Sequence, residues 1–172
     1  MSSQLRVDKI LQVDGAPTGG GGGIIQVVQT IKKDQFTTAS TVSSGGYVDL
    51  TGLSAAITPK FNTSKILVKS VIYNSNANAV NFFRVLRGST FIEQPSGTSS
   101  GGANYNAHGF SYFDHQYQDT CVIKILDSPA TTSATTYKIQ TACTSNVVTI
   151  NQFFNTSNYF GITTLQLYEV SA

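Results

Sequence analysis

No stretch of about twelve or more residues carries helical periodicity with a cap, while short alternating apolar runs recur along the whole chain. Residues 64–73 put Ile66, Val68 and Ile72 on one side and Lys65 and Lys69 on the other. Residues 24–33 put Ile25, Val27 and Ile31 on one side. Strict alternation of this kind marks a strand with one buried face. Further strands are expected at 46–50, 55–58, 80–87, 90–93, 109–113, 120–126, 135–142, 146–150 and 161–170. Gly, Pro and Asn punctuate them, and 127–133 (Asp-Ser-Pro-Ala-Thr-Thr-Ser) is a turn segment. Many short strands with such punctuation predict an all-β antiparallel sandwich, jelly-roll-like. Gly88-Ser89 between two apolar runs predicts a two-residue type II′ hairpin, with Arg87 facing Thr90 and Arg84 facing Glu93.

Composition narrows the function classes. Charged residues make up only 12% of the 172 residues. Their place is taken by 21 Thr, 19 Ser and 11 Asn, while ten Phe and eight Tyr supply bulk for a core. Aromatic and β-branched residues at this level argue against a disordered tail. A net charge of +2 is too weak to point to nucleic acid or an anionic membrane. No run approaches the length of a membrane-spanning helix. The start, Met1-Ser2-Ser3-Gln4-Leu5-Arg6, lacks the apolar core of a secretory signal, so synthesis and folding in a cytoplasm are expected. Cys121 and Cys143 are too few for a disulfide framework. If their segments pair, strand parity turns both toward the core as buried free thiols, the alternative being a disulfide formed after release.

Three zones divide the chain. Residues 1–16 form an arm in which the apolar Leu5, Val7, Ile10 and Leu11 are the candidates for partner attachment. It is too short to bury them alone, so it is expected to attach to a partner. Residues 17–23 end in five consecutive glycines, a flexible tether. Residues 24–172 form the sandwich. Two of its strands are apolar on both parities: 80–86 and 161–170. Phe82, Leu86, Leu165 and Leu167 are therefore candidates for a subunit interface, the alternative being cover by a loop of the same chain.

Constellations for catalysis are not legible. His108 and His115 have opposite strand parity, so they do not converge on a metal, and neither a metal nor a cofactor is expected. The glycine run lacks the Lys-Ser/Thr of a phosphate loop. No Gly-x-Ser-x-Gly elbow is present, and the nine acidic residues show no clustering. The loops are better placed for recognition. Residues 94–106 run without apolar periodicity, and 151–159 set Phe153 and Phe154 among amides. Tyr105, Phe153, Phe154 and Tyr159 are candidate ligand-loop residues for a host-surface glycan. The alternative for the two Phe is to plug the end of the sandwich.

Ser64-Lys65-Ile66-Leu67-Val68, the hairpin from Arg84 to Ile92, and the segment from Leu126 through Asp127-Ser128-Pro129-Ala130-Thr131-Thr132 to Tyr137 resemble small virion proteins of marine and cyanobacterial tailed phages, often labelled tail fibre or structural protein. The start Leu5-Arg6-Val7-Asp8-Lys9-Ile10 followed by a glycine-rich hinge is similar to the arm of that family. The resemblance implies a non-enzymatic virion-surface component, a homotrimer, as a fibre, knob or capsid decoration that contacts other virion proteins. It carries over no catalytic residues. A carbohydrate-binding or receptor-binding module for host adsorption is the competing expectation.

Overall fold

The computed structural model describes residues 23–43, 46–96, 105–154 and 158–171. The arm residues Leu5, Val7, Ile10 and Leu11 and linker residues 17–22 lie outside the described residues.

Nine strands are present in the described chain: β1 (Ile24–Lys32), β2 (Phe36–Thr38), β3 (Val48–Ile57), β4 (Lys65–Arg87), β5 (Thr90–Phe91), β6 (Gly109–Asp127), β7 (Thr135–Cys143), β8 (Val148–Ile150) and β9 (Thr163–Val170). All ladders between them are antiparallel. The expected all-β sandwich is what forms. Its organising element is β4, 23 residues long. The first part of β4 pairs with β9, the last part with β7, and β6 follows it along nearly its whole length. One continuous sheet therefore folds over on itself into two layers. Sheet 1 runs β1-β9-β4-β6 and sheet 2 runs β3-β7-β4-β6, with β5 extending the β4 end of the second.

Four expected strands merge into two. Residues 65–73 of the first and 80–87 belong to the single strand β4, and 109–113 and 120–126 to the single strand β6. The polar residues between them look like loops in the sequence. Here they stay extended because Asn74, Ser75, Asn76 and Ala77 pair with Asp119, Gln118, Tyr117 and Gln116 across the fold. At Asn78 the register shifts and the backbone takes a positive φ of 48°. Asn tolerates that region better than most residues. The shift changes which parity points inward. Ile66, Val68 and Ile72 face the core before it, and Ala79, Phe83 and Val85 after it.

A ladder of buried amides lines this crossing. Asn81 Nδ2 donates to Asn74 Oδ1 at 2.9 Å, and Asn76 Nδ2 donates to Asn81 Oδ1 at 2.6 Å. Asn74 Nδ2 donates to Ser111 Oγ and to the Asp119 carbonyl, both at 3.1 Å. The chain's Asn content is thus partly spent inside, where each amide group needs a partner. Glu169 is also fully buried at the opposite end of sheet 1. Its carboxylate accepts from the Lys60 N–H at 2.6 Å and from Gln26 Nε2 at 2.8 Å.

The β1/β3 edge of the sandwich is closed by side chains: Thr30 Oγ1 donates to the Ser54 carbonyl and Gln26 Nε2 to the Thr58 carbonyl. The expected inner face of β1 is corrected. Val27 and Ile31 point to solvent, and Val28 packs against the core with Lys32 buried beside it. A register shift between Ile24 and Gln26 accompanies this arrangement. The Gly88-Ser89 hairpin holds: Arg87 pairs with Thr90, and Gly88 alone of the two turn residues has positive φ, as type II′ requires. Cys121 and Cys143 are both buried free thiols. Their strands do not pair with each other. Each packs inward from a different stretch along β4, opposite Ile72 and Asn81.

Candidate interaction surfaces

Sheet 1 turns one face to the core and the other to solvent. On the outer face, cross-strand register lines up Val27, Tyr168, Leu67 and Leu126 in one row. The next outward row is Gln29, Gln166, Lys69 and Lys124. After it come Ile31, Thr164, Val71 and Val122. Val27 and Val122 are 54% and 55% exposed, and Leu126 and Ile162 are also open. A sheet face of this kind normally alternates apolar inside with polar outside. Here apolar rows flank a polar one on the solvent side. Gln166 Nε2 donates to Gln29 Oε1 at 2.6 Å, which ties the polar row across β1 and β9.

A second open surface lies where the β6 half of sheet 2 meets the solvent. Phe110 and Tyr112 are 66% and 69% exposed. They share the outer face with Phe82, which the rings of Tyr105 and Phe110 cover at centroid distances of 5.6 and 6.5 Å. Tyr117 continues the aromatic display at the bend. Asp114 and Asp119 lie on the same stretch of β6 and are exposed. Among the described residues β6 pairs only with β4, so its outer edge is bare. Between the two halves of β6 is a cleft of about 360 Å³, lined by Gly109, Phe110, Asp119, Thr120 and Val122 among others. The halves touch at its base, where a Cβ on Gly109 would stand 2.6 Å from Cys121 Sγ.

The proposed interface residues fall elsewhere. Phe82, Leu86, Leu165 and Leu167 are all buried by the chain itself. Leu165 and Leu167 belong to the core, and the open parity of β9 is that of Ile162 and Tyr168. Phe82 and Leu86 do sit on the outer parity of β4, but Tyr105 and Phe110 cover the first, and Leu86 is flanked by Phe91 of β5 and Lys138 of β7. Cover by the same chain is therefore the outcome for β4. The ligand-loop candidates divide between two places. Tyr105 lies against Phe82 on sheet 2. Phe153 meets Tyr159 edge-on at 5.8 Å, in a segment held beside Tyr73 by the Asn151 N–H. Phe154 is half-buried, Tyr159 is exposed, and Phe160, which sequence reasoning missed, is exposed as well.

Arg84 does not face Glu93. Its guanidinium lies 4.0 Å from the Tyr47 ring centroid and 5.2 Å from that of Phe91, and it donates from Nε and a terminal nitrogen to Gln140 Oε1. β5 ends at Phe91, and Glu93 takes a positive φ that turns the chain away. Burial pushes the Tyr47 phenol up to about 12, against the opposing pull of Arg84. His108 is a clip. Its Nδ1 accepts the Val85 N–H at 2.9 Å, so Nε2 carries the proton it donates to the Ile92 carbonyl at 2.8 Å. Burial holds its pKa below the ordinary value. His115 is exposed, with Asp114 at 3.6 Å. Among the described residues no three His, Cys, Asp or Glu side chains converge as metal ligands, and no helix is long and apolar enough to cross a membrane.

No protein-family profile matches the chain, and no curated protein matches it. Solved structures of infectious bursal disease virus are similar in form. That of the Gt strain is 14% identical, with a TM-score of 0.43, over all of this chain and 43% of that one. The virus's VP2 protein in derived T=1 particles is 13% identical, with a TM-score of 0.45, over all of this chain and 41% of that one. The chain thus spans about two-fifths of the length of these structures, and the likeness is one of β-fold only.

Proposed function

We propose that this chain is a non-enzymatic structural subunit of a virion. In this reading it is a projecting fibre, knob or capsid decoration on the particle surface, made in the host cytoplasm. Residues 1–16 anchor it to other virion proteins, the glycine linker holds the sandwich away from them, and the subunits form a homotrimer. The carrying observation is the outer face of sheet 1, four strands wide with two apolar rows flanking a polar one, which no element of the described chain covers. Patches of that kind mark protein–protein contact. The resemblance of the hairpin and the 126–137 segment to phage virion proteins supports the same reading, and Ser171 N–H bonding to the Gly23 carbonyl sets both ends of the domain at one point, suited to a single stalk.

The test is deletion of residues 1–22. The expected product is a folded domain, with an unchanged melting profile, that no longer enters particles. Normal incorporation would overturn the anchoring role. A second reading, a receptor-binding module for host adsorption, is favoured by the outward rings of Tyr105, Phe110 and Tyr112. Aromatic faces stack on sugar rings, so this reading expects saccharide hits on a glycan array that Tyr112→Ser abolishes.

A further inference from the structure

Taking out the ion pairs that the fold uses internally leaves a separated charge pattern. Lys32 pairs with Asp34, Arg87 with Asp127 and Lys138 with Asp49. Arg84 is enclosed by rings, and Glu169 is buried. On the outer face of sheet 1 this leaves Lys65, Lys69 and Lys124, with no Asp or Glu in the three cross-strand rows from Val27–Leu126 to Ile31–Val122. Asp127 and Glu169, the acidic residues nearest in those strands, are both buried. The bend of β6 carries the opposite sign. Asp114 and Asp119 are exposed there beside Phe110, Tyr112 and Tyr117, with no Lys or Arg between residues 109 and 123. Both surfaces set exposed apolar side chains beside their charge, both are open among the described residues, and they adjoin at the cleft lined by Phe110, Asp119 and Val122.

We infer that the cationic outer face of sheet 1 in one copy packs head-to-tail on the acidic, aromatic bend of β6 in a second copy. Two unlike patches make a heterologous contact, which closes into a ring when the rotation allows it. The alternative of sheet 1 against sheet 1 would bring Lys69 and Lys124 onto their own copies, and like charges across an interface are penalised. Packing against β6 also covers an edge that pairs with no strand among the described residues, and such an edge offers N–H and C=O groups to an extended chain. The inference rests on the self-associating part of the proposed function and names its surface. Entry into particles tests the virion role separately, so either can fail alone.

The experiment is light scattering of the full chain after size exclusion, at about 100 µM, where a micromolar contact is filled. A mass that is a multiple of the chain mass is expected, falling as salt rises. Lys69→Glu with Lys124→Glu, and separately Asp114→Lys with Asp119→Lys, are each expected to weaken association on the order of tenfold or more. The chain carrying all four substitutions is expected to regain it, because both patches are then reversed together. A monomeric parent chain overturns the inference. An oligomer indifferent to either reversal overturns this assignment of the surface while leaving self-association standing. Failure of the fourfold variant to recover, with its melting profile intact, also overturns it. Should a reversal unfold the chain, the salt dependence of the parent decides, since an apolar contact without paired charge strengthens as salt rises.

Discussion

Asn81 sits where three segments meet, and its amide both donates and accepts inside the fold. Asn81→Ala would strand Asn74 Oδ1 in a site without water access, leave Asn76 Nδ2 with only the Ser145 carbonyl at 3.4 Å, and take a donor from the Ser75 carbonyl. Each orphaned group costs about 1–3 kcal/mol, so a loss of about 2–4 kcal/mol is expected in urea unfolding, allowing for partial rearrangement. His108 gives a pH signature of its own. Its folded pKa is lowered, so the unfolded chain takes up the proton first as pH falls. Its contribution is therefore complete above the ordinary His range near 6.5 and is lost as pH drops through that value toward the folded pKa. Stability should decline over that window. His108→Gln should remove that part of the slope, while His115→Gln, at an exposed site, should leave it in place. Neither role was readable from the sequence. Asn81 and His108 look like ordinary polar punctuation until the fold brings their partners from 5 to 23 residues away.

The elements show most plainly what alternation can and cannot tell. Ile66, Val68 and Ile72 sit inward as their spacing predicts, because a half-buried strand needs one consistent parity. The same rule misplaces β1, where a bulge near Ile24 and Gln26 goes with an inward set of Val28 and Lys32. It also splits β4 and β6, because a polar stretch that pairs across a bend has the composition of a loop. Leu165 and Leu167 show the limit most clearly. Both parities of β9 are apolar, and only the packing of sheet 2 decides which one is core. Close approach adds another constraint that spacing does not carry. A Cβ at Gly161 would come within 2.0 Å of the Tyr73 ring. Gly161→Ala should therefore cost about 2 kcal/mol or more, in the range of overpacking, and lower the melting temperature. Tyr73→Ser should relieve much of that penalty in the double variant.

Across the whole molecule, β4 and β6 make the two layers one cooperative unit. Neither sheet holds its central strands without the other, since each takes half of the same two strands. Cys121 and Cys143 report on the two layers separately. Burial pushes the Cys121 thiol up to about 11 and raises that of Cys143 as well, so both are unreactive while folded. In a denaturant series with a thiol reagent, the two are expected to become accessible at one midpoint, coincident with the loss of strand signal. Separate midpoints would mean that one layer survives the other, against the shared-strand architecture.

The antiparallel ladder between β1 and β9, entered at Gly23, also sets how the domain bears force. A tether pulling on Gly23 along the strand axis loads the paired residues from Ile24 to Lys32 in shear, so their hydrogen bonds resist together. Tension applied across the sheet would peel the same bonds in succession, beginning at Ser171 and Gly23. The domain would thus be toughest under load along the axis of β1 and weakest when that strand is wrenched sideways at Gly23.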